Sequence, residues 1–450
     1  MTNHDSLPCK NLVLSVVASV VVVATGCGDD DASSPLATGA GAMAATGGGG
    51  VGTGGTTTTN PTVGGSGGQG RISLGAIEVQ LSDSYIAAAN GENVSDIAAT
   101  ADAVFLTRGH PDGTRAHVLW RVDESGSTAF VPVPAPSFGP DGFGGGFDLF
   151  GGQIHIGVRK QGEVGQTARY DLDGTYLGNN EIDFSSNLPG AGIELFALGG
   201  PYIRAGNDGA AFMVVENDSW TVGWSVDNDS FVNGAAQYFS LNRDARWLFR
   251  TGASSDALKG RIAATQFSAS SIVDSWAADV DFGLPMGTEF FGSDSNAGFI
   301  DVVGIGRPGF DDVLAGAPPR LCAFARYTVD GDPVQHRLLV DFVDDLQASH
   351  SCVDVVTGAD GRRHLIGWMN DDDVMVDTPT TTTWVPYVVT LDATGAPVFF
   401  ERLPEAAFEQ PSVPLGGKGL RIVLASNGDL VAVASRGATV VVHRWSVGLF

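Results

Sequence analysis

Cysteine, histidine and basic side chains are all scarce in this sequence, and each shortage removes a class of function. Four cysteines occur in 450 residues, none spaced CxxC, and the eight histidines are scattered. That pattern excludes Cys/His zinc frameworks and c-type haem attachment. His110 in RGHPDG and His155 in QIHIGV read as turn and strand residues. Lysine and arginine total 25 against 51 acidic residues, giving a net charge of −26. Such a surface repels phosphate backbones, so nucleic acid is not an expected partner. HExxH, SxxK, GK[ST] and CxxCH are missing, and the one formal GxSxG, around Ser66, lies in a glycine-rich run where composition alone produces it. No catalytic and no cofactor-binding residue is assigned. Amphipathic helical periodicity is absent, and the one long apolar stretch, residues 12–23, is too short for a comfortable membrane span.

That stretch has a different meaning at the N-terminus. Lys10 precedes it and small residues follow it, the three parts of a secretory signal peptide. Ala24, Thr25 and Gly26 lead directly into Cys27, and this segment resembles the lipobox of bacterial lipoproteins, with Ala24 where the family usually carries Leu. The resemblance implies cleavage after residue 26, acylation of Cys27 and anchorage in the membrane of a cell envelope. Gly28, rather than Asp, after the cysteine is similar to lipoproteins exported to the outer membrane. A plain cleaved signal and an uncleaved anchor are the other readings. Three regions follow: a signal peptide at 1–26, a lipidated cysteine with a Gly/Thr/Ala-rich tether at 27–70, and a folded domain at 71–450. The tether has almost no large apolar residue and cannot offset its ordering entropy by burial.

What is abundant is glycine, 62 residues, beside only 17% charged residues, a balance suited to short strands and tight turns. Past Arg71 short β-branched and aromatic runs alternate with Gly, Asp and Asn turns, an all-β pattern. A unit recurs in which a strand ends on an apolar residue followed by Asp and a turn: VLWRVDESG, ARYDLDG, VGWSVDNDS, ARYTVDG and YVVTLDATG. Its landmarks are Val122, Leu172, Val226, Val329 and Leu391, with a degenerate copy near Phe267 and a last one ending at Val447. Their spacing of about 41 to 62 residues is in the range of propeller blades, and the count is seven, with six or eight as neighbouring possibilities.

Stretches such as VTLDATGAPVFF resemble the repeats of quinoprotein-like propellers and of propeller lipoproteins in the outer-membrane assembly machinery. The resemblance implies a seven-bladed β-propeller with the landmark on the third strand of each blade. The last unit stops after its third strand, and residues 74–81 have no other partner, so they are expected to supply the missing strand by pairing with residues 440–445. Tandem β-sandwich domains are the alternative, because the spacing is uneven.

With Cys9 in the signal and Cys27 acylated, Cys322 and Cys352 remain, and two thiols in an exported chain read as one disulfide, with buried free thiols as the alternative. Asp371, Asp372, Asp373 and Asp377, between Trp368 and Trp384, form the densest acidic loop, and the crossover before that unit adds Asp344, Asp345 and His350 to the same rim. Hard oxygen ligands in that number are candidates for Ca²⁺, although their spacing is not that of an EF-hand and solvated loop charge is the competing reading. Phe138, Phe143, Phe147 and Phe150 line a glycine-rich crossover that reads either as an aromatic platform or, for the last two, as core. The expected function is a lipid-anchored envelope module binding a protein or glycan partner. The alternative is a propeller enzyme, quinoprotein-like or glycan-cleaving, with its site at the axial mouth.

Overall fold

The computed structural model describes residues 57–58, 71–80, 94–108, 118–130, 143–159, 164–183, 196–197, 202–205, 211–216, 219–224, 238–242, 247–256, 258–267, 272–296, 298–314, 320–340, 349–370, 382–410, 419–436 and 439–447. These residues are almost entirely β, and they fall into small antiparallel sheets taken in chain order. The first holds β3 (Val94–Ala99), β4 (Val104–Arg108), β5 (Val118–Asp123) and β6 (Gly126–Phe130); the second β7 (Phe143–Phe150), β8 (Gln153–Arg159), β9 (Val164–Asp171) and β10 (Tyr176–Asp183). The third is β11 (Phe196–Ala197), β12 (Tyr202–Ala205), β13 (Ala211–Glu216) and β14 (Ser219–Trp224); the fourth β15 (Tyr238–Asn242), β16 (Trp247–Ala253), β17 (Gly260–Phe267) and β18 (Ile272–Val280). The fifth comprises β19 (Thr288–Asn296), β20 (Phe299–Gly306), β21 (Leu321–Thr328) and β22 (Pro333–Leu339). The sixth has β23 (Ser349–Thr357), β24 (Arg363–Asn370), β25 (Thr382–Leu391) and β26 (Pro397–Arg402), with β27 (Phe408–Gln410) also on β25.

The seventh sheet joins distant parts of the chain. β28 (Leu420–Leu424), β29 (Leu430–Arg436) and β30 (Thr439–Val447) continue into β2 (Arg71–Gln80), which pairs antiparallel with β30 from Ser73 opposite Trp445 to Val79 opposite Val440. The N-terminal strand and the last unit therefore pair as the sequence suggested. Thr57–Thr58, inside the segment read as tether, form β1 and pair with Glu78 and Ile77 on the outer edge of β2.

The landmarks fall on or just past third strands because each marks the change from a half-buried strand to a turn. Val122 and Leu391 lie in β5 and β25, Phe267 and Val447 end β17 and β30, and Leu172 and Val329 directly follow β9 and β21. Val226 is outside the described residues. The turns repeat in atomic detail. Asp171 and Asp392 each accept, through the side chain, the N–H of the residue four positions on (Thr175, 2.7 Å; Ala396, 2.9 Å), and Thr328 does the same for Asp332 at 3.0 Å. This Asx-type closure, with a left-handed residue just before the strand resumes, is the three-residue hairpin loop with its bulge. Gly395, at φ 90°, fills that position under a second constraint, since a Cβ there would meet the Gln335 amide at 2.5 Å.

First strands of successive sheets pack together: β3 on β7, β7 on β11, β15 on β19, β19 on β23, β23 on β28, and β28 on β3. Apolar clusters fill the spaces between neighbouring sheets. One joins Leu106, Trp120 and Val122 of the first sheet to Val431, Val433 and Val442 of the seventh. The fifth and sixth sheets are also joined covalently. Cys322 on β21 and Cys352 on β23 are bonded, with both side chains fully buried and Cα atoms 4.9 Å apart.

Candidate functional site

A bulge recurs on the fourth strands. In β10, β18, β22, β26 and β2 the pairing with the third strand skips one residue near the start, and the extra residue is Leu177, Val273, Val334, Val398 or Leu74. Leu177, Val273, Val334 and Val398 are 43%, 61%, 51% and 40% exposed, so the bulge leaves them outside any core. In β18, β22 and β26 the position three residues further on faces the next sheet. In β18 it is Trp276, whose indole N–H donates to the Val329 carbonyl at 2.7 Å; in β22 it is Arg337, which donates to the Gly395 carbonyl at 2.9 Å. In β26 it is Glu401, whose carboxylate accepts the Trp445 indole N–H at 2.9 Å.

In β2 the equivalent residue is Ile77, which offers no hydrogen bond. It is half-buried against the cluster shared by the seventh and first sheets. The facing hairpin is also short. Only Glu124 and Ser125 separate the paired Asp123 and Gly126, whereas five residues each (171–175, 328–332 and 392–396) separate the paired residues Tyr170 and Tyr176, Tyr327 and Pro333, and Leu391 and Pro397 in the second, fifth and sixth sheets. A smaller reaching residue over a shorter turn leaves a groove of about 580 Å³, floored by Ile77, Val104, Val122 and Val442 and rimmed by Asp102, Arg121, Asp123, Glu124 and Arg444. That volume suits a small molecule or a few side chains.

The rim charges are unequally engaged. Arg121 lies 3.3 Å from the Asp123 carboxylate, which also accepts the Ser125 N–H at 2.9 Å. Arg444 donates to the carbonyls of Thr100 (2.6 Å) and Ala101, and lies 3.9 Å from Asp429. Asp102 and Glu124 are exposed.

A second concentration of charge lies between the first strands of the fifth, sixth and seventh sheets, with Asp301 buried and Asp294 and Asp354 half-buried. Asp294 on β19 accepts the Thr357 N–H of β23 at 2.7 Å, and Asp354 on β23 accepts the Ile422 N–H of β28 at 3.1 Å and the Val355 N–H at 3.0 Å. Asp301 accepts the Thr357 hydroxyl at 2.9 Å and stands 3.5 Å from Arg326. Burial raises the pKa of all three carboxyls. It lifts Asp294 to about 7, helped by the charges of Asp301 and Asp354 and opposed by backbone N–H bonds. Each carboxyl has an oxygen taken by a backbone or hydroxyl donor of an adjoining first strand, and the other Asp301 oxygen faces Arg326, an arrangement that suits stitching between sheets. Glu405 lies 2.5 Å from the buried His443 ring; burial pushes that carboxyl up, but the hydrogen bond and charge of His443 outweigh it and hold it low.

Of the residues named from sequence, Cys27, Asp344, Asp345, Asp371, Asp372, Asp373 and Asp377 lie outside the described residues, and no metal-binding cluster occurs among those described. Cys322 and Cys352 are brought together as a disulfide. His350 was placed on the rim with the acids, and that placement is corrected: it is buried in β23, its ring 2.7 Å from the Leu339 carbonyl. Strand alternation, not the acidic neighbours, decides its direction. Phe147 is core, packed with Phe105, Ile154 and Tyr170. The groove residues carry no signal in the sequence, because it is the register beyond the bulge at Leu74 that brings Ile77 and Asp123 to one groove.

No family model matches the sequence, and no curated protein matches it. Among solved structures the chain is similar to a prolyl endopeptidase at 13% identity and TM-score 0.38, over 77% of this chain and 46% of that one. The chain thus spans less than half the length of that protein. It is similar to Drosophila semaphorin 1b, extracellular domains 1–2, at 9% identity and TM-score 0.40, over 82% of this chain and 88% of the other. The Aleuria aurantia lectin in complex with alpha-methyl-L-fucoside aligns at 10% identity and TM-score 0.36, over 81% and 96%. Likenesses at this level assign neither activity nor ligand.

Proposed function

We propose that this chain is an exported, lipid-anchored seven-bladed β-propeller of a bacterial cell envelope, and that it binds a protein or glycan partner without transforming it. Four-stranded sheets in chain order, first strands that pack in succession, and an N-terminal strand that completes the last sheet support the propeller. The segment leading into Cys27 supports export and acylation at the outer membrane, and the residues between Cys27 and β1 then act as the leash between membrane and domain. The acidic loop of Asp371, Asp372, Asp373 and Asp377 stays a proposed Ca²⁺ site on this reading, separate from the groove.

The observation that carries the binding function is the groove at the junction of the seventh and first sheets. Three other junctions place Trp276, Arg337 or Glu401 across the gap, and this one leaves it unfilled. The enzyme alternative draws no support from Asp294, Asp301 and Asp354, each of which is engaged by a backbone or hydroxyl donor of an adjoining first strand.

Photo-crosslinking in the native envelope tests the reading, with the reactive residue at Ser125 in the groove or at Ala359 on an exposed turn of the sixth sheet. The expected result is a discrete, saturable adduct from position 125 alone, identified by mass spectrometry as one protein or glycan and lost when Ile77→Trp fills the groove. The same adduct from both positions, or one indifferent to Ile77→Trp, contradicts the reading.

A further inference from the structure

Resting on the reading of the groove as the binding site, we infer that its ligand is a lysine or arginine side chain presented by an extended segment of a partner protein. The floor is aliphatic, formed by Ile77, Val104, Val122 and Val442, and accepts a methylene stem. The charge still available at the rim is negative. Arg121 is paired with Asp123, and Arg444 has the Asp429 carboxylate 3.9 Å away and is tied to the Thr100 and Ala101 carbonyls, whereas Asp102 and Glu124 are exposed at the mouth and carry no ion pair among the described residues. A carboxylate ligand would meet Asp102 and Glu124 before it reached either guanidinium. A cation with an aliphatic stem meets carboxylates at the mouth and apolar surface below them. The domain's net negative charge draws such a segment in from a distance.

The test uses the purified folded chain and two labelled eight-residue peptides, one alternating lysine with leucine and one alternating glutamate with leucine, followed by fluorescence anisotropy at two salt concentrations. The lysine peptide is expected to bind, more weakly at high salt. Its affinity should fall about tenfold in the Asp102→Asn, Glu124→Gln double variant and be lost in Ile77→Trp, whose circular dichroism and melting temperature stay at the parent values. An Asp173→Asn, Asp330→Asn double variant removes equal charge from distant turns and should bind as the parent does. Equal weakening by both double variants overturns the inference, because attraction is then diffuse. Binding of the glutamate peptide in preference, abolished by Ile77→Trp, overturns the cationic ligand but keeps the groove as the site. If neither peptide's binding responds to Ile77→Trp, the groove reading falls as well.

Discussion

Trp276 donates its indole N–H to the carbonyl of Val329, a 2.7 Å hydrogen bond that ties the fourth strand of one sheet to the third-to-fourth turn of the next. Arg337 repeats it on Gly395, and Ile77 occupies the same offset from its bulge without a polar group. One device thus locks successive sheets at three junctions and leaves a groove at a fourth.

The lock has a testable energetic consequence. Arg337→Ala removes the half-buried hydrogen bond to the Gly395 carbonyl, which should cost about 1 kcal/mol. Gly395→Ala should cost more, about 2 kcal/mol, since it forces a Cβ into both the left-handed region and the Gln335 amide. Urea unfolding of both variants checks the order, and an Arg337→Ala loss exceeding that of Gly395→Ala contradicts it.

The buried disulfide gives a second expectation. Cys322 and Cys352 are 30 residues apart, and in the chain-entropy model a loop of that length contributes roughly 3 to 4 kcal/mol. The double Cys→Ala variant should unfold at lower temperature while keeping the parent's far-ultraviolet spectrum. Two reactive thiols titrated in denatured, unreduced protein from its own compartment would remove the bridge from the account.

Asp294 supplies a pH dependence whose sign is opposite to that of an ordinary salt-bridged carboxylate. Its folded pKa, about 7, lies above the unfolded value, so the native state holds the proton more tightly. The stabilisation is complete below about pH 4 and is lost as pH rises towards 7. Asp294→Asn keeps an oxygen for the Thr357 N–H and removes the half-buried charge. It should therefore be more stable than the parent at pH 8, by about 1 to 3 kcal/mol, and lose that advantage near pH 4. Denaturant midpoints at the two pH values decide; an advantage larger at pH 4 contradicts the assignment.

Anchorage is tested at Cys27. Cys27→Ser should abolish labelling by a fatty-acid analogue and release the protein from the membrane fraction, and labelling that persists would end the lipoprotein reading.

The sequence already disclosed the strands, the hairpins and the partner of the N-terminal strand. Each rests on a local signal: two-residue alternation, an Asp and Gly turn as at Asp392 and Gly395, or an apolar segment near Ile77 with nothing beside it. The bulges were not visible. Val273, Val334 and Val398 look like ordinary strand valines, and only the pairing register shows them skipped. The groove depends on that offset, and so Ile77 and Asp123 could not be associated from their positions in the chain. Asp294 and Asp354 carry no local signal of their role, which appears only when the adjoining first strand brings up the N–H groups they accept.

The most direct measurement of the whole account is the thermal unfolding of two deletions of equal length. Removing residues 70–82 takes away β2, and with it the strand opposite β30 and the floor of the groove at Ile77. Removing residues 40–52 shortens the leash and touches no described strand. The first variant should lose cooperative unfolding, or melt more than about 10 °C below the parent, and expose strand edges that drive aggregation. The second should melt with the parent. If the 70–82 deletion unfolds cooperatively at the parent temperature, β2 does not close the fold and the groove built on it does not exist.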